Sequence, residues 1–175
     1  MSEPCNVLFL CTGNSARSLL AEALLNHHGE GHFRAWSAGS QPKGEPHPMA
    51  LDVLRGHGLP TEGLRSKSWR EFAGPEAPPV DLIITVCDNA AGETCPVWPG
   101  HPITAHWGIE DPAAVEGDGQ REAFETALRY LSNRVSLLLA LPMASIDEMA
   151  LRAELRQIGS GDGATATARD ATADA

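Results

Sequence analysis

The run Val7-Leu8-Phe9-Leu10 is apolar at every position and stops abruptly at Cys11. A strand with one wet face alternates apolar and polar side chains, whereas a continuous apolar run belongs to a strand covered on both faces. That calls for a sheet with helices packed on either side. The rest of the chain agrees. Residues 32–38, 81–86 and 102–107 read as further strands, and residues 16–28, 47–58 and 119–141 read as helices between or after them. Strands alternating with helices give a parallel sheet in an α/β fold. Ala16, Leu19, Leu20, Ala23 and Leu24 recur at helical spacing, as do Phe124, Leu128, Leu131, Val135 and Leu138. Pro48 suits the first turn of its helix and Gly58 the end. Residues 66–74 predict a short helix. Ser145 and Glu148 stand at capping-box spacing before a last helix over 145–159, with Ile146, Met149, Ala150 and Ala153 as its apolar stripe.

At 175 residues, one compact domain is expected, over residues 1–159. The remainder, SGDGATATARDATADA, lacks large apolar residues and is expected to be a disordered tail, 160–175. The net charge of -10 argues against a nucleic-acid partner, because phosphate backbones need a positive surface. No apolar run approaches membrane-spanning length. The start, MSEPCNV, has no basic region followed by an apolar stretch, so a cytoplasmic protein is expected, with a monomer as the default.

The loop after the first strand carries the chemistry. It runs Cys11, Thr12, Gly13, Asn14, Ser15, Ala16, and Arg17 follows. A loop between a strand and a helix N-terminus can turn successive backbone N–H groups inward as an anion cradle, and the helix dipole adds partial positive charge. Gly13 permits backbone angles that other residues resist, and Asn14 tolerates the left-handed region. Arg17 can add a bidentate grip on a tetrahedral oxyanion. These groups would stabilise a Cys11 thiolate beneath the anion and lower its pKa, and Ser18 can donate a hydrogen bond to the same sulfur. The plainer alternative is a buried cysteine, a turn and an exposed arginine. Strand, Cys, five residues, Arg-Ser and helix together are far more specific than that.

Cys87 ends the third strand, and Cys95 follows eight residues later. Cys11 and Cys87 both lie at carboxyl ends of parallel strands, where sites form, so they can be neighbours. Residues 88–94 are small or polar and can refold at modest cost. The alternatives are structural thiols, or a metal site with His101 and His106, although the spacing of the cysteines does not match the usual zinc pairs. Cys5 is read as packing. Asp111-Pro112 follows the fourth strand and is by itself a common turn opener.

The stretch VLFLCTGNSARSLLAEALL resembles the signature of the low-molecular-weight protein tyrosine phosphatases and of the arsenate reductases that share their fold. The resemblance extends over nearly all of residues 5–158. It implies a three-layer α/β sandwich with a four-stranded parallel sheet in the order 2-1-3-4. It implies an oxyanion-binding loop of Thr12, Gly13, Asn14, Ser15, Ala16, Arg17 and Ser18 around a nucleophilic Cys11. Asp111 becomes the general acid, with Glu110 its nearest competitor. Two departures favour the reductase branch over a tyrosine phosphatase, which stays the alternative. Phosphatases of this fold tend to carry a second cysteine where this chain has Ala16. They also place tyrosine near the aspartate, where Ala113 and Ala114 stand; Tyr130 is the chain's one tyrosine.

The resemblance further implies a triad, Cys11, Cys87 and Cys95, that reduces arsenate to arsenite and passes a disulfide from Cys11–Cys87 to Cys87–Cys95. No bound cofactor is implied. An external thiol reductant is: thioredoxin, or glutaredoxin with glutathione. Asn14, Glu22 and Ser37 match positions that bind potassium in some reductases of the family. Lys67 stands where a further carboxylate would be, so its ammonium is expected to replace the ion and pair with Glu22. The alternative is a solvated surface lysine.

Overall fold

The computed structural model of the chain describes residues 3–93 and 98–173. Four strands form one parallel sheet: β1 (Cys5–Leu10), β2 (Phe33–Ala38), β3 (Leu82–Thr85) and β4 (Ile103–His106), ordered β2-β1-β3-β4. The helices are α1 (Arg17–His28), α2 (Pro48–Gly56), α3 (Asp88–Gly92), α4 (Gln120–Leu139), α5 (Glu148–Gly159) and α6 (Ala166–Ala173).

The apolar run takes the centre of the sheet. β1 pairs with β2 in the register Val7 to Ala35 and with β3 in the register Val7 to Leu82. Val7 and Phe9 face the larger core together with Leu82, Ile84 and the buried sides of α1, α2, α4 and α5. Leu8, Leu10 and Ile83 face the other way. That second face is covered by the 3₁₀ helix Trp69–Phe72, which replaces the longer helix expected over 66–74. Trp69, Phe72, Trp36 and Trp98 close it, their broad rings doing the covering that a full helix would otherwise do.

Parallel strands place their carboxyl ends on one edge, and that edge carries Cys11 after β1, Cys87 after β3 and the 107–111 segment after β4. Trp107 is fully buried, and its indole N–H donates to the Leu155 carbonyl at 2.9 Å, which ties α5 to that edge.

Two expectations at the C-terminal end are corrected. The cap of α5 is Asp147, whose carboxylate accepts from Ala150 N at 2.8 Å; Ser145 instead donates to the Pro142 carbonyl. The buried stripe is also not the expected one: Leu151, Leu155 and Ile158 are buried and Met149 is 82% exposed. Nor is the segment after 159 a disordered tail across its described residues. Arg134, 2% exposed, donates to the carbonyls of Tyr130, Asp162 and Gly161. Ala164 pairs antiparallel with Ile109, Thr165 N donates to the Gly108 carbonyl at 3.0 Å, and α6 follows. Composition misled because it weighs side-chain area alone. Here small residues let the backbone approach closely, and Gly163 packs directly on the Tyr130 ring.

Candidate active site

The Cys11–Arg17 loop is held from outside by its carbonyls. Thr12 O accepts from Gln41 N, Gly13 O from Lys43 N and Ser66 Oγ, and Ser15 O from His47 N, all within 2.8–3.2 Å. With the carbonyls turned outward, the amides turn inward. Those of Gly13, Ser15, Ala16 and Arg17 have no protein acceptor among the described residues. α1 begins at Arg17 with Ala16 as its uncapped N-terminal neighbour, so the positive end of its dipole also faces the loop. The residue with positive φ is Asn14, at 44°, and not Gly13. Asn14 is fully buried and can afford that backbone because its amide is bonded on both ends: Nδ2 donates to Ser18 Oγ and Ser37 Oγ, and Oδ1 accepts from Lys67 N.

Cys11 is 5% exposed. Its pKa falls to about 5. The main cause is the hydrogen bond from the Cys87 thiol; burial opposes it, and Ser18, the Arg17 charge and the Asn14 amide add to the lowering. Cys87 is pushed the opposite way, by that same bond, by burial and by the charge on Cys11. The two shifts run in opposite directions and favour the thiolate on Cys11 and the thiol on Cys87. Residues 88–92, part of the small, polar segment expected to refold at modest cost, form α3, and Cys87 caps it, its sulfur accepting from Ala90 N at 3.4 Å and from Thr12 N at 3.3 Å. Thr12 Oγ1 donates to Glu93 at 2.7 Å, closing the segment over the loop. Cys95 lies outside the described residues.

Arg17 donates through Nη1 to the Ile109 carbonyl at 2.8 Å, and its Nη2 lies 3.8 Å from Asp111 Oδ2. Its Nε is buried with no partner among the described residues. Asp111 caps the turn Pro112–Ala114 by accepting from Ala113 N at 3.0 Å, while Glu110 is exposed. Beside the loop, Ser37 donates to Glu22 at 2.6 Å, and the Lys67 ammonium lies 3.6 Å from Glu22 and donates to the Arg65 carbonyl at 3.0 Å. Burial pushes the Glu22 carboxyl up and the Lys67 amine down, and their mutual attraction works against both shifts. Lys67 is thus a buried member of the loop's support and not a solvated lysine. His106 is engaged with Asp88 and Thr85; His101 is exposed.

Sequence reasoning missed three contributors. Gly39 lies against the loop's spine: a Cβ there would meet the Thr12 carbonyl oxygen, and the Cys11 carbonyl oxygen at 2.6 Å. Its only signal was a glycine directly after a strand. Ile109 acts through a backbone carbonyl, which no residue type announces. Asp88 looked like one more polar residue of the 88–94 segment.

The loop, its cysteine and its arginine at the end of the first strand of this sheet define a phosphatase-like oxyanion site, and the chain belongs to the low molecular weight phosphotyrosine protein phosphatase family, whose model matches residues 6–152. Similar proteins carry a more particular description. An arsenate reductase of Bacillus licheniformis is 37% identical over 112 residues, covering 63% of this chain and 76% of that protein. A solved arsenate reductase in the phosphate binding state has a TM-score of 0.64 at 30% identity, covering 78% of this chain and 97% of that one. The thioredoxin-dependent arsenate reductase of Corynebacterium glutamicum has a TM-score of 0.55 at 29% identity, covering 78% of this chain and 64% of that one.

Proposed function

We propose that this chain reduces arsenate to arsenite by passing a disulfide through Cys11, Cys87 and Cys95 to an external dithiol of the thioredoxin type. The observation that carries the reading is the place of the Cys87 sulfur, which accepts from Thr12 N at 3.3 Å and so sits on the oxyanion loop at the residue next to Cys11. Ester hydrolysis needs one sulfur; an adjacent second sulfur is what a two-electron reduction needs.

The loop amides and Arg17, with its unpartnered Nε, bind the oxyanion. The Cys11 thiolate attacks arsenic, a hydroxyl leaves, and Asp111 gives it a proton. Once the Cys11 sulfur is bonded to arsenic its charge is gone, and with it the main cause of the raised Cys87 pKa. The amides of Ala90 and Thr12 already point at Cys87 and stabilise its thiolate. That thiolate attacks the Cys11 sulfur. A sulfur–sulfur bond forms, the sulfur–arsenic bond breaks, and its electron pair stays on arsenic, which falls from +5 to +3 and departs as arsenite. Cys95 then attacks Cys87, freeing the Cys11 thiolate, and two electrons from the external dithiol reduce the Cys87–Cys95 disulfide. No bound cofactor takes part, and Lys67 stands in for a potassium ion beside Glu22.

The test is arsenate-dependent NADPH oxidation with thioredoxin and thioredoxin reductase. Wild type turns over, Cys95→Ser stops after about one equivalent, and Cys87→Ser releases no arsenite. Turnover that needs glutaredoxin and glutathione would change the donor alone. Brisk aryl phosphate hydrolysis with no arsenate turnover by any thiol would make the protein a phosphatase and sink the proposal.

A further inference from the structure

Asp88, the first residue of α3 and the neighbour of Cys87, is held from the far end of the chain. Its Oδ1 accepts from Thr165 Oγ1 at 2.7 Å and lies 2.8 Å from His106 Nε2, whose Nδ1 is 2.7 Å from Thr85 Oγ1. Burial pushes the Asp88 pKa up, but the bonds from Thr165, His106 and Thr167 outweigh it and hold the carboxylate charged. Gly108 leaves the room for this cluster: a Cβ there would lie 2.5 Å from Asp88 Oδ1, 2.6 Å from His106 Nε2 and 2.8 Å from Thr165 Oγ1. The residue before Thr165 reaches the other wall of the site, since Ala164 pairs with Ile109, whose carbonyl aims Arg17. Arg134 anchors the segment just before both. The C-terminal partners, Gly161, Asp162, Ala164 and Thr165, lie beyond residue 152, where the family match ends.

We propose that Thr165 is a positioning residue: through Asp88 it holds α3 where the Cys87 sulfur meets the Cys11 sulfur, so that the C-terminal segment braces the reduction step. This rests on the Cys11–Cys87 exchange proposed above. The Thr165 side chain binds Asp88 and the Ala168 amide, and the oxyanion loop is held by other residues. Its loss should therefore slow sulfur transfer and spare oxyanion affinity.

The experiment uses the full chain carrying Cys95→Ser, so that chemistry stops at the first disulfide. Arsenite release in a single turnover is followed by quenching for Thr165→Val, Thr165→Ser, Asp88→Ala and the Thr165→Val/Asp88→Ala pair. Thr165→Val should slow release about tenfold, the loss of one charge-assisted hydrogen bond, with the arsenate concentration dependence unchanged. Thr165→Ser should restore the rate. The pair should be no slower than Asp88→Ala alone, because both break one contact. A second arm needs no arsenate: the pH profile of Cys11 alkylation by iodoacetamide. The groups facing Cys11 are the Cys87 thiol, the Ser18 hydroxyl and the Arg17 guanidinium. Freed of its tether, Cys87 bonds Cys11 less well, and the Thr165→Val midpoint should move to higher pH. Wild-type rate and profile in Thr165→Val, additive effects in the pair, or no rescue by serine would each overturn the proposal. If Thr165→Val fails to fold, Asp88→Ala decides by the same two readouts. If the parent releases no arsenite, the functional reading fails, while the alkylation arm still decides whether the brace sets Cys87.

Discussion

Replacing Cys87 with alanine removes the bond that does most to hold Cys11 ionised. A hydrogen bond to a charged acceptor contributes about 1.5–3 kcal/mol, and one pKa unit is worth about 1.4 kcal/mol. The Cys11 pKa should therefore climb from about 5 by roughly one to two units, with Ser18, Arg17 and the Asn14 amide keeping it below that of a free thiol. A lowered pKa means that the thiolate persists above that pH and is lost below it. At pH 6 the wild type is then about nine-tenths thiolate, and Cys87→Ala about one-half to one-tenth. Alkylation of Cys11 by iodoacetamide, followed across pH 4–9 by intact mass, reads this midpoint directly. Nucleophilicity rises with pKa at a Brønsted slope of about 0.4–0.5, so the plateau rate at high pH should rise by a factor of about 2.5 to 10 as the midpoint moves up. Cys87→Ser keeps a donor and should fall between the two. An unchanged midpoint in Cys87→Ala would show that the sulfurs do not share a proton, and the argument for Cys87 as the resolving thiol would lose its foundation.

Gly39→Ala should cut oxyanion binding at least tenfold, measured as phosphate affinity, because its Cβ would displace the Cys11 and Thr12 carbonyls and with them the cradle; wild-type affinity would refute the close approach. Lys67→Ala leaves Glu22 buried without its cation and should cost about 3–5 kcal/mol in denaturant unfolding. Added potassium should recover part of that loss in the variant and leave the wild type unmoved; equal responses would refute the stand-in role. Asp111→Asn should lower the rate of arsenic–sulfur bond formation about 10²–10⁴-fold while phosphate still binds; a smaller loss would move the acid's role to another group.

Much of the fold was legible because burial leaves a periodic trace. The unbroken Val7–Leu10 run placed β1 between two neighbours, and the Phe124-to-Leu138 stripe placed α4 on the core. The loop was legible because its chemistry needs particular residue types in order. The start of α5 was not, because Ser145 and Asp147 are both good caps and only packing of Leu151, Leu155 and Ile158 chooses between them. α3 was not, because five residues are too few for a period to appear, and its cap is a sulfur.

The sequence by itself determined the sheet, the Cys11–Arg17 cradle and the cysteine at the end of β3, since each follows from local pattern and from neighbours in the chain. Only the tertiary structure decided that the Cys87 sulfur meets the Thr12 amide beside Cys11, that Ile109 aims Arg17, and that Thr165 reaches Asp88. Those outcomes depend on distances between groups far apart in the chain, and the free energy of a proton or a hydrogen bond is set by that distance and by the exclusion of water, neither of which a residue's identity records.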